Sequence, residues 1–176
     1  MKIASFDVET ANHHDESICS AAVATFEDGK LIESLYWLVR PPKGYGYFRE
    51  DFTDHCHGLH WYDVKDAPEF SAIAPQLLGR LCSADIVVAH NAQFDRRKLE
   101  ATLKHFGIAC PELPWQCTLQ LSRKMWPGLA SHSLDSVAIH IDHVFQHHNA
   151  KADAEAAGWV MIKIAISLAT EFPAEA

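Results

Sequence analysis

Four carboxylates and one imidazole in this chain have the types and positions to do chemistry together. Asp7 and Glu9 flank Val8 at the end of an apolar run, residues 3–8 (IASFDV), that reads as a short strand. Side chains alternate along a strand, so Asp7 and Glu9 share one face and Ala4, Phe6 and Val8 the other. Two carboxylates side by side there repel each other and resist desolvation, and a divalent cation is the direct remedy. Solvated acids at an exposed strand end are the plain alternative for this pair taken alone. Asp95 closes the run HNAQFD, residues 90–95. At ~100° per residue it falls on one stripe with Leu99, Leu103 and Phe106, while Arg96, Arg97 and Lys98 turn away. A helix dipole would stabilise an acid on any side, so the core-facing side calls for another reason. Asp153 heads a similar stripe with Ala156, Ala157, Val160, Ile164 and Leu168, whose alanines would let the helix approach a sheet closely. His148 sits five residues before Asp153, just outside that helix and within reach of the same space.

Four inward-aimed acids without counter-ions would cost more than a domain's net stability of ~5–15 kcal/mol. Two divalent ions would cancel their formal charge. Two oxygen-ligated metals ~3.5–4 Å apart make a site for in-line attack on a phosphodiester. An imidazole titrating near neutrality, here His148, could take the proton of the attacking water.

These groups need a scaffold. Residues 19–26 and 31–39 read as a hairpin around Glu27-Asp28-Gly29-Lys30, with Asp-Gly as the turn signal. PPKGYGYFRE, residues 41–50, is a loop by its Pro and Gly content, and its aromatics suit a substrate surface. Phe70, Ile73, Leu77 and Leu81 predict a helix over 71–82, with Pro75 near its first turn. Ile86–Ala89 reads as a strand buried on both faces. Asn91 offers an N-cap for a helix to about His105, stopped by Gly107. Trp115–Cys117 reads as a strand and Thr118–Met125 as a helix ended by Pro127-Gly128. Ser133 caps a short helix through Ile139, and a last helix runs from near Ala150 to before Pro173. Strands first, then strands and helices in alternation, give an α/β layered domain.

The chain has 176 residues, 48% hydrophobic and 22% charged, which suggests one domain over 1–176 with a full core. No apolar run approaches the ~18 residues of a membrane span. The opening MKIASFDVET lacks the apolar stretch of a secretory signal. Five widely spaced cysteines without a CxxC read as reduced thiols, and a cytoplasmic protein is expected. A net charge of -8 excludes a broad basic surface for nucleic acid. Contact must then be local or carried by metal ions, with Arg96, Arg97, Arg123 and Lys124 the most plausible basic side chains.

FDVET, HNAQFD and HNAKAD (HxAxxD), in this order, resemble the three motifs of the DEDDh (DnaQ-like) 3′–5′ exonucleases. This is the group of the DNA polymerase III epsilon proofreading subunit, exonuclease X and RNase T, within the ribonuclease H-like fold. CTLQLSR, WPGL and HSLD resemble the family's connecting region, so the likeness runs from residue 3 to about 170. It implies a five-stranded mixed sheet flanked by helices. It further implies two Mg²⁺ (or Mn²⁺) ions: Asp7, Glu9 and Asp153 would hold the one that activates water. Asp7 would bridge to the second, which Asp95 would hold mainly through water. His148 would be the general base; His147 lacks the offset. HGL, residues 57–59, resembles a segment that packs against the terminal nucleotide, which makes His57 and Leu59 substrate contacts. Thr10 would meet the 3′ end. The family commonly continues ETTG where this chain reads ETANHHDES, which leaves recognition of the terminal sugar open.

The expected activity is removal of nucleoside 5′-monophosphates from a nucleic-acid 3′ end. DNA is favoured, single strands especially; the same chemistry on RNA is the nearest alternative, since that choice rests on contacts to the 2′ position. No accessory segment follows the core, which suits a stand-alone nuclease. A rival is a zinc site built on His55, Cys56, His57 and His60, although four ligands within six residues suit a tetrahedron poorly. A catalytically silent domain that binds a nucleic-acid end or a protein is the other rival. No GxSxG and no GxxxxGK[ST] is present, which disfavours a serine hydrolase and a P-loop enzyme. His13 and His14 are placed in a solvated loop.

Overall fold

The computed structural model describes residues 1–145 and 148–171, with the side chains of Asp54, His55 and Glu171 outside the description. Five strands form one mixed sheet: β1 (Lys2–Thr10), β2 (Ile18–Glu27), β3 (Lys30–Leu38), β4 (Ile86–Ala89) and β5 (Trp115–Cys117). Their order is β3-β2-β1-β4-β5. The β1–β2 and β2–β3 pairs are antiparallel, and β4 runs parallel to both β1 and β5. The hairpin turns on Asp28 and Gly29, whose φ of 49° and 77° are the left-handed pair that a two-residue turn requires. Pairing of β4 with β1 ends at Ser5↔Val88. The far end of β1, from Asp7 to Thr10, therefore projects past β4 and leaves that edge to other elements.

Seven helices accompany the sheet among the described residues: α1 (Glu50–Phe52), α2 (Trp61–Val64), α3 (Phe70–Cys82), α4 (Ala92–His105), α5 (Thr118–Met125), α6 (Leu134–His140) and α7 (Ala150–Glu171). A single wide π turn, Thr53–His57, follows α1. Alternation along β1 sorts the core into two layers. Ala4, Phe6 and Val8 pack against Phe70, Leu77, Leu99 and Leu103 of α3 and α4. Ile3, with Ala22, Ala24 and Phe26 of β2, packs against Ala150, Ala154 and Ile162 of α7. Asp7 and Glu9 belong to the α7 face by the same alternation.

Several local expectations need correcting. Pro75 is the sixth residue of α3, not in its first turn; it lies on the exposed side, while Phe70, Ile73, Ala74, Leu77 and Leu81 bury the other. Apolar burial thus holds the helix despite the missing N–H. Asn91 precedes α4 with φ 79° and makes no side-chain cap bond. It serves a left-handed turn, a conformation Asn tolerates. The hydroxyl of Ser133 pairs with those of Ser131 and Ser136 instead of capping α6. Ala156 and Ala157 face α6, alongside Leu134 and Val137. The sheet is approached instead by Ala150, Ala154 and Gly158, whose backbone lies against the Phe26 ring. Leu168 lies beyond the buried stripe and is exposed. All five cysteines are free thiols. No helix among the described residues is long and apolar enough to cross a membrane.

Candidate active site

Asp7, Glu9, Asp95, His148 and Asp153 line one cleft of about 290 Å³ where β1 projects past β4. Carboxylate oxygens of Asp7, Glu9 and Asp153 all lie within 4.8 Å of one another. Strand alternation supplies the first two, and the first turn of α7 the third. The Asn149 side-chain oxygen accepts the backbone N–H groups of Lys151 and Ala152, which fixes the start of that helix. Asp95 approaches from the first turn of α4. The Val8 N–H and its own backbone N–H donate to its carboxylate. Asp95 and Asp153 are buried, while Asp7 and Glu9 are partly open to the cleft.

The electrostatics of this cluster are unfavourable for bare anions. Burial, with Asp153 and Asp95 nearby, pushes Glu9 up to about 8. Burial also pushes Asp95 up to about 8, against the two backbone N–H donors that favour its charged form. Asp7 is held well above its ordinary range by burial and by all three neighbours, Asp95 foremost. No Lys or Arg lines the cleft among the described residues. The cluster must hold protons or take up cations. Its donors are all hard carboxylate oxygens, which suit Mg²⁺ or Mn²⁺ and not a thiolate-preferring metal. The residues therefore fit the divalent ions that the motifs imply, with Asp7, Glu9 and Asp153 as the close set and Asp95 set back.

His148 stands on the loop before α7, exposed, with a left-handed φ of 63°. His147 lies outside the described residues. His57 is not among the residues that line the cleft, and it is fixed at both ring nitrogens: Nε2 donates to the Thr10 carbonyl at 3.1 Å and Nδ1 accepts the Leu59 N–H at 3.0 Å. These bonds select the neutral tautomer. Burial lowers the pKa of His57, and a charge on His148 lowers it further. Thr10 is buried, and Leu59 packs on Ala11, Cys19 and Val64. The HGL segment is thus clamped to the end of β1.

The same bonds count against the zinc rival. His57 has no lone pair left for a metal, and the His60 side chain accepts a backbone N–H at the start of α2. The Cys56 thiol lies 3.5 Å from the Asp51 carbonyl. The His55 side chain lies outside the described residues.

Sequence reasoning missed three supporting residues. Asn12 is fully buried; its Nδ2 donates to the Tyr45 and Tyr47 carbonyls at 2.8 and 2.7 Å, and its Oδ1 accepts the His14 N–H at 2.9 Å. Lys98, expected on the solvent side of α4, is 1% exposed. Its Nζ donates to the His13 and His14 carbonyls and pairs with Asp15 at 2.9 Å. The His13–His14 loop is therefore pinned, although the rings themselves are exposed. His90 lines the cleft with its ring held between the Thr118 hydroxyl and the His132 carbonyl. A Lys that turns away from the apolar stripe gives no sign of carbonyl partners 84 and 85 residues away. The polar run after ETA was the only hint of Asn12. Among the expected basic contacts, Arg96 pairs with Glu100 and Arg97 with Asp15, while Arg123 and Lys124 are exposed.

Known proteins share both sequence and geometry with this chain. The profile of the RNase_T exonuclease family matches residues 5–161. The DNA polymerase III PolC-type protein of Caldanaerobacter subterraneus subsp. tengcongensis is 30% identical over 163 residues, 90% of this chain and 11% of that protein. The 3′-5′ exonuclease DinG of Bacillus subtilis is 28% identical over 163 residues, 90% of this chain and 17% of its own length. The chain thus spans a small part of these relatives. Exonuclease X, solved in complex with 5′ overhanging duplex DNA, superimposes with a TM-score of 0.73 at 26% identity, covering 94% of this chain and 92% of its own. The nuclease domain of 3′hExo, a DEDDh family member solved with rAMP, shares the fold with a TM-score of 0.76 at 13% identity, covering 97% and 92%.

Proposed function

Because the chain belongs to the RNase_T family of exonucleases, we propose that it removes nucleotides one at a time from the 3′ end of DNA, single strands preferred, with residues 1–176 acting as one unit. The family generally uses divalent metal ions, and the reading here is two, Mg²⁺ or Mn²⁺. The convergence of Asp7, Glu9 and Asp153 within 4.8 Å, with Asp95 in the same cleft, carries the proposal. Bound there, the ions would neutralise the carboxylates and offset charge growing on the attacking and leaving oxygens.

The chain's own residues do the rest. Asp7, Glu9, Asp95 and Asp153 would hold the ions from three separate elements. His148 accepts a proton from the attacking water as its oxygen bonds to phosphorus. The bond from phosphorus to the 3′ oxygen of the penultimate sugar breaks, that oxygen takes up a proton, and a nucleoside 5′-monophosphate leaves. His57, with both nitrogens occupied, holds Thr10 and Leu59 in place, so that Leu59 presents the apolar contact to the terminal nucleotide. The 26% identity to exonuclease X and the PolC-type relatives supports DNA over RNA.

The test uses 5′-labelled DNA and RNA single strands with Mg²⁺ or Mn²⁺. A ladder shortening from the 3′ end is expected, faster on DNA, abolished by chelator and by Asp7→Ala. Faster shortening of RNA would reassign the substrate. Intact strands under every metal would leave a silent end-binding domain.

A further inference from the structure

The segment from 41 to 61 carries a feature that the cleavage chemistry does not use. Pro41, Pro42, Gly44, Gly46, Tyr47 and Trp61 enclose an open cup of about 320 Å³. Trp61 lies over Gly46, where a β-carbon would come within 3.2 Å of the ring, so the ring sits close against the loop backbone. Trp61 is 42% exposed and Tyr47 51% exposed, which leaves large aromatic faces open to a ligand. Lys43 lines the cup, is exposed and makes no ion pair among the described residues.

Both walls of the cup hang from the chain that follows Glu9. Asn12 holds the Tyr45 and Tyr47 carbonyls, and the Arg49 N–H donates to the Ala11 carbonyl at 3.0 Å. On the other side His57, four residues before Trp61, holds the Thr10 carbonyl. The cup is therefore built on the same strand end as the carboxylates.

We propose that this cup is a base-binding subsite, which takes an unstacked nucleobase of the substrate strand on the 5′ side of the terminal nucleotide, with Lys43 against an adjoining phosphate. The inference rests on the exonuclease reading above. Aromatic faces bind any base, since every base has a π face. The volume lies at the small end of ligand pockets, and the bonds from Asn12 set the walls before anything binds. An unpaired cation beside the rings, on a chain of net charge -8, suits a phosphate and gives local attraction where the overall field repels.

The experiment compares a ten-nucleotide single strand with thymidine 5′-(4-nitrophenyl phosphate), which has one base and cannot reach a second subsite. Steady-state kinetics are measured for the wild-type chain, Tyr47→Ala, Trp61→Ala and Trp61→Phe. Trp61→Ala should raise KM for the strand roughly 5- to 100-fold with kcat nearly unchanged. Trp61→Phe should restore it, and the ester should be hydrolysed alike by all four. A strand with one abasic position should lose affinity for the wild-type chain at one place only, and this loss should vanish in Trp61→Ala. Unchanged KM in both alanine variants overturns the proposal, even if the same variants lose a protein partner. Equal losses on strand and ester overturn it too, because they mark a structural role. Should the wild-type chain hydrolyse neither substrate, the exonuclease reading fails and the subsite falls with it.

Discussion

Metal uptake by the cleft should release protons, and the site sets their number. Glu9 and Asp95 are each pushed up to about 8. A group with that pKa is roughly 90% protonated at pH 7 and roughly 10% at pH 9. Asp7 is raised as well. Because the carboxylates interact, the protons belong to the cluster and not to single residues. Loading with Mn²⁺ at pH 7 should thus release at least about two protons, and clearly fewer at pH 9. Titration calorimetry at each pH, in buffers of different ionisation enthalpy, reads the proton count as the slope of apparent heat against buffer enthalpy. The same shifts fix the sign of the metal-free protein's stability. Folded pKa values above the unfolded ones mean that the native state binds more protons. The stability is then fully present below the usual carboxylate range and is lost as pH rises through about 8. Urea unfolding without metal should show a lower midpoint at pH 9 than at pH 6. Asp15 has the opposite sign: burial raises its pKa, but the Lys98 hydrogen bond and charge bring it below its usual value, so its contribution fades only in acid. Tight Mn²⁺ binding at pH 7 without proton release would refute the reasoning, as would equal midpoints at pH 6 and pH 9.

Other outcomes follow from the same geometry. His148→Ala should lower kcat by about 10²- to 10⁴-fold while Mn²⁺ affinity stays within a few-fold, read by single-turnover cleavage beside metal titration. Gly158→Ala should destabilise by about 1–3 kcal/mol, because the added methyl overlaps the buried Phe26 ring, and urea unfolding would register it. Lys98→Met should cost about 1–3 kcal/mol, since it strips the donor from two carbonyls and one of two partners from Asp15, which is partly exposed and keeps Arg97. Its hydrogen exchange should quicken first in residues 12–17. Asn12→Ala should make amides of residues 44–49 exchange faster, as the Tyr45 and Tyr47 carbonyls lose their donor.

Much of the scaffold was legible because it rests on local pattern. Asp28-Gly29 marks the hairpin turn, and the apolar run Ile86–Ala89 reads as the interior strand that it forms. The stripe through Asp95, Leu99 and Leu103 placed an acid on the buried side of α4. The alternation of Asp7 and Glu9 with Phe6 and Val8 set both acids on one face. What stayed hidden depends on distant partners. The Lys98 ammonium is buried because the carbonyls of residues 13 and 14 come to it from the far end of β1. Pro75 sits inside α3 because burial of Leu77 and Leu81 outweighs a lost hydrogen bond. Asn91 looked like a cap, and only the backbone angle reveals a left-handed turn. The short helices and the π turn between 50 and 64 have no periodicity long enough to read. The clamp by which His57 closes on Thr10 needs coordinates to be seen.

The central claim is that carboxylates from β1, α4 and α7 together hold the paired cations that strand cleavage needs. Electron paramagnetic resonance of Mn²⁺ titrated with the metal-free protein counts bound ions directly, through loss of the free-ion signal. About two ions per chain are expected. Asp7→Asn and Asp153→Asn should each sharply weaken uptake. Wild-type protein that leaves the free-ion signal untouched, or uptake that survives both substitutions, would contradict the account.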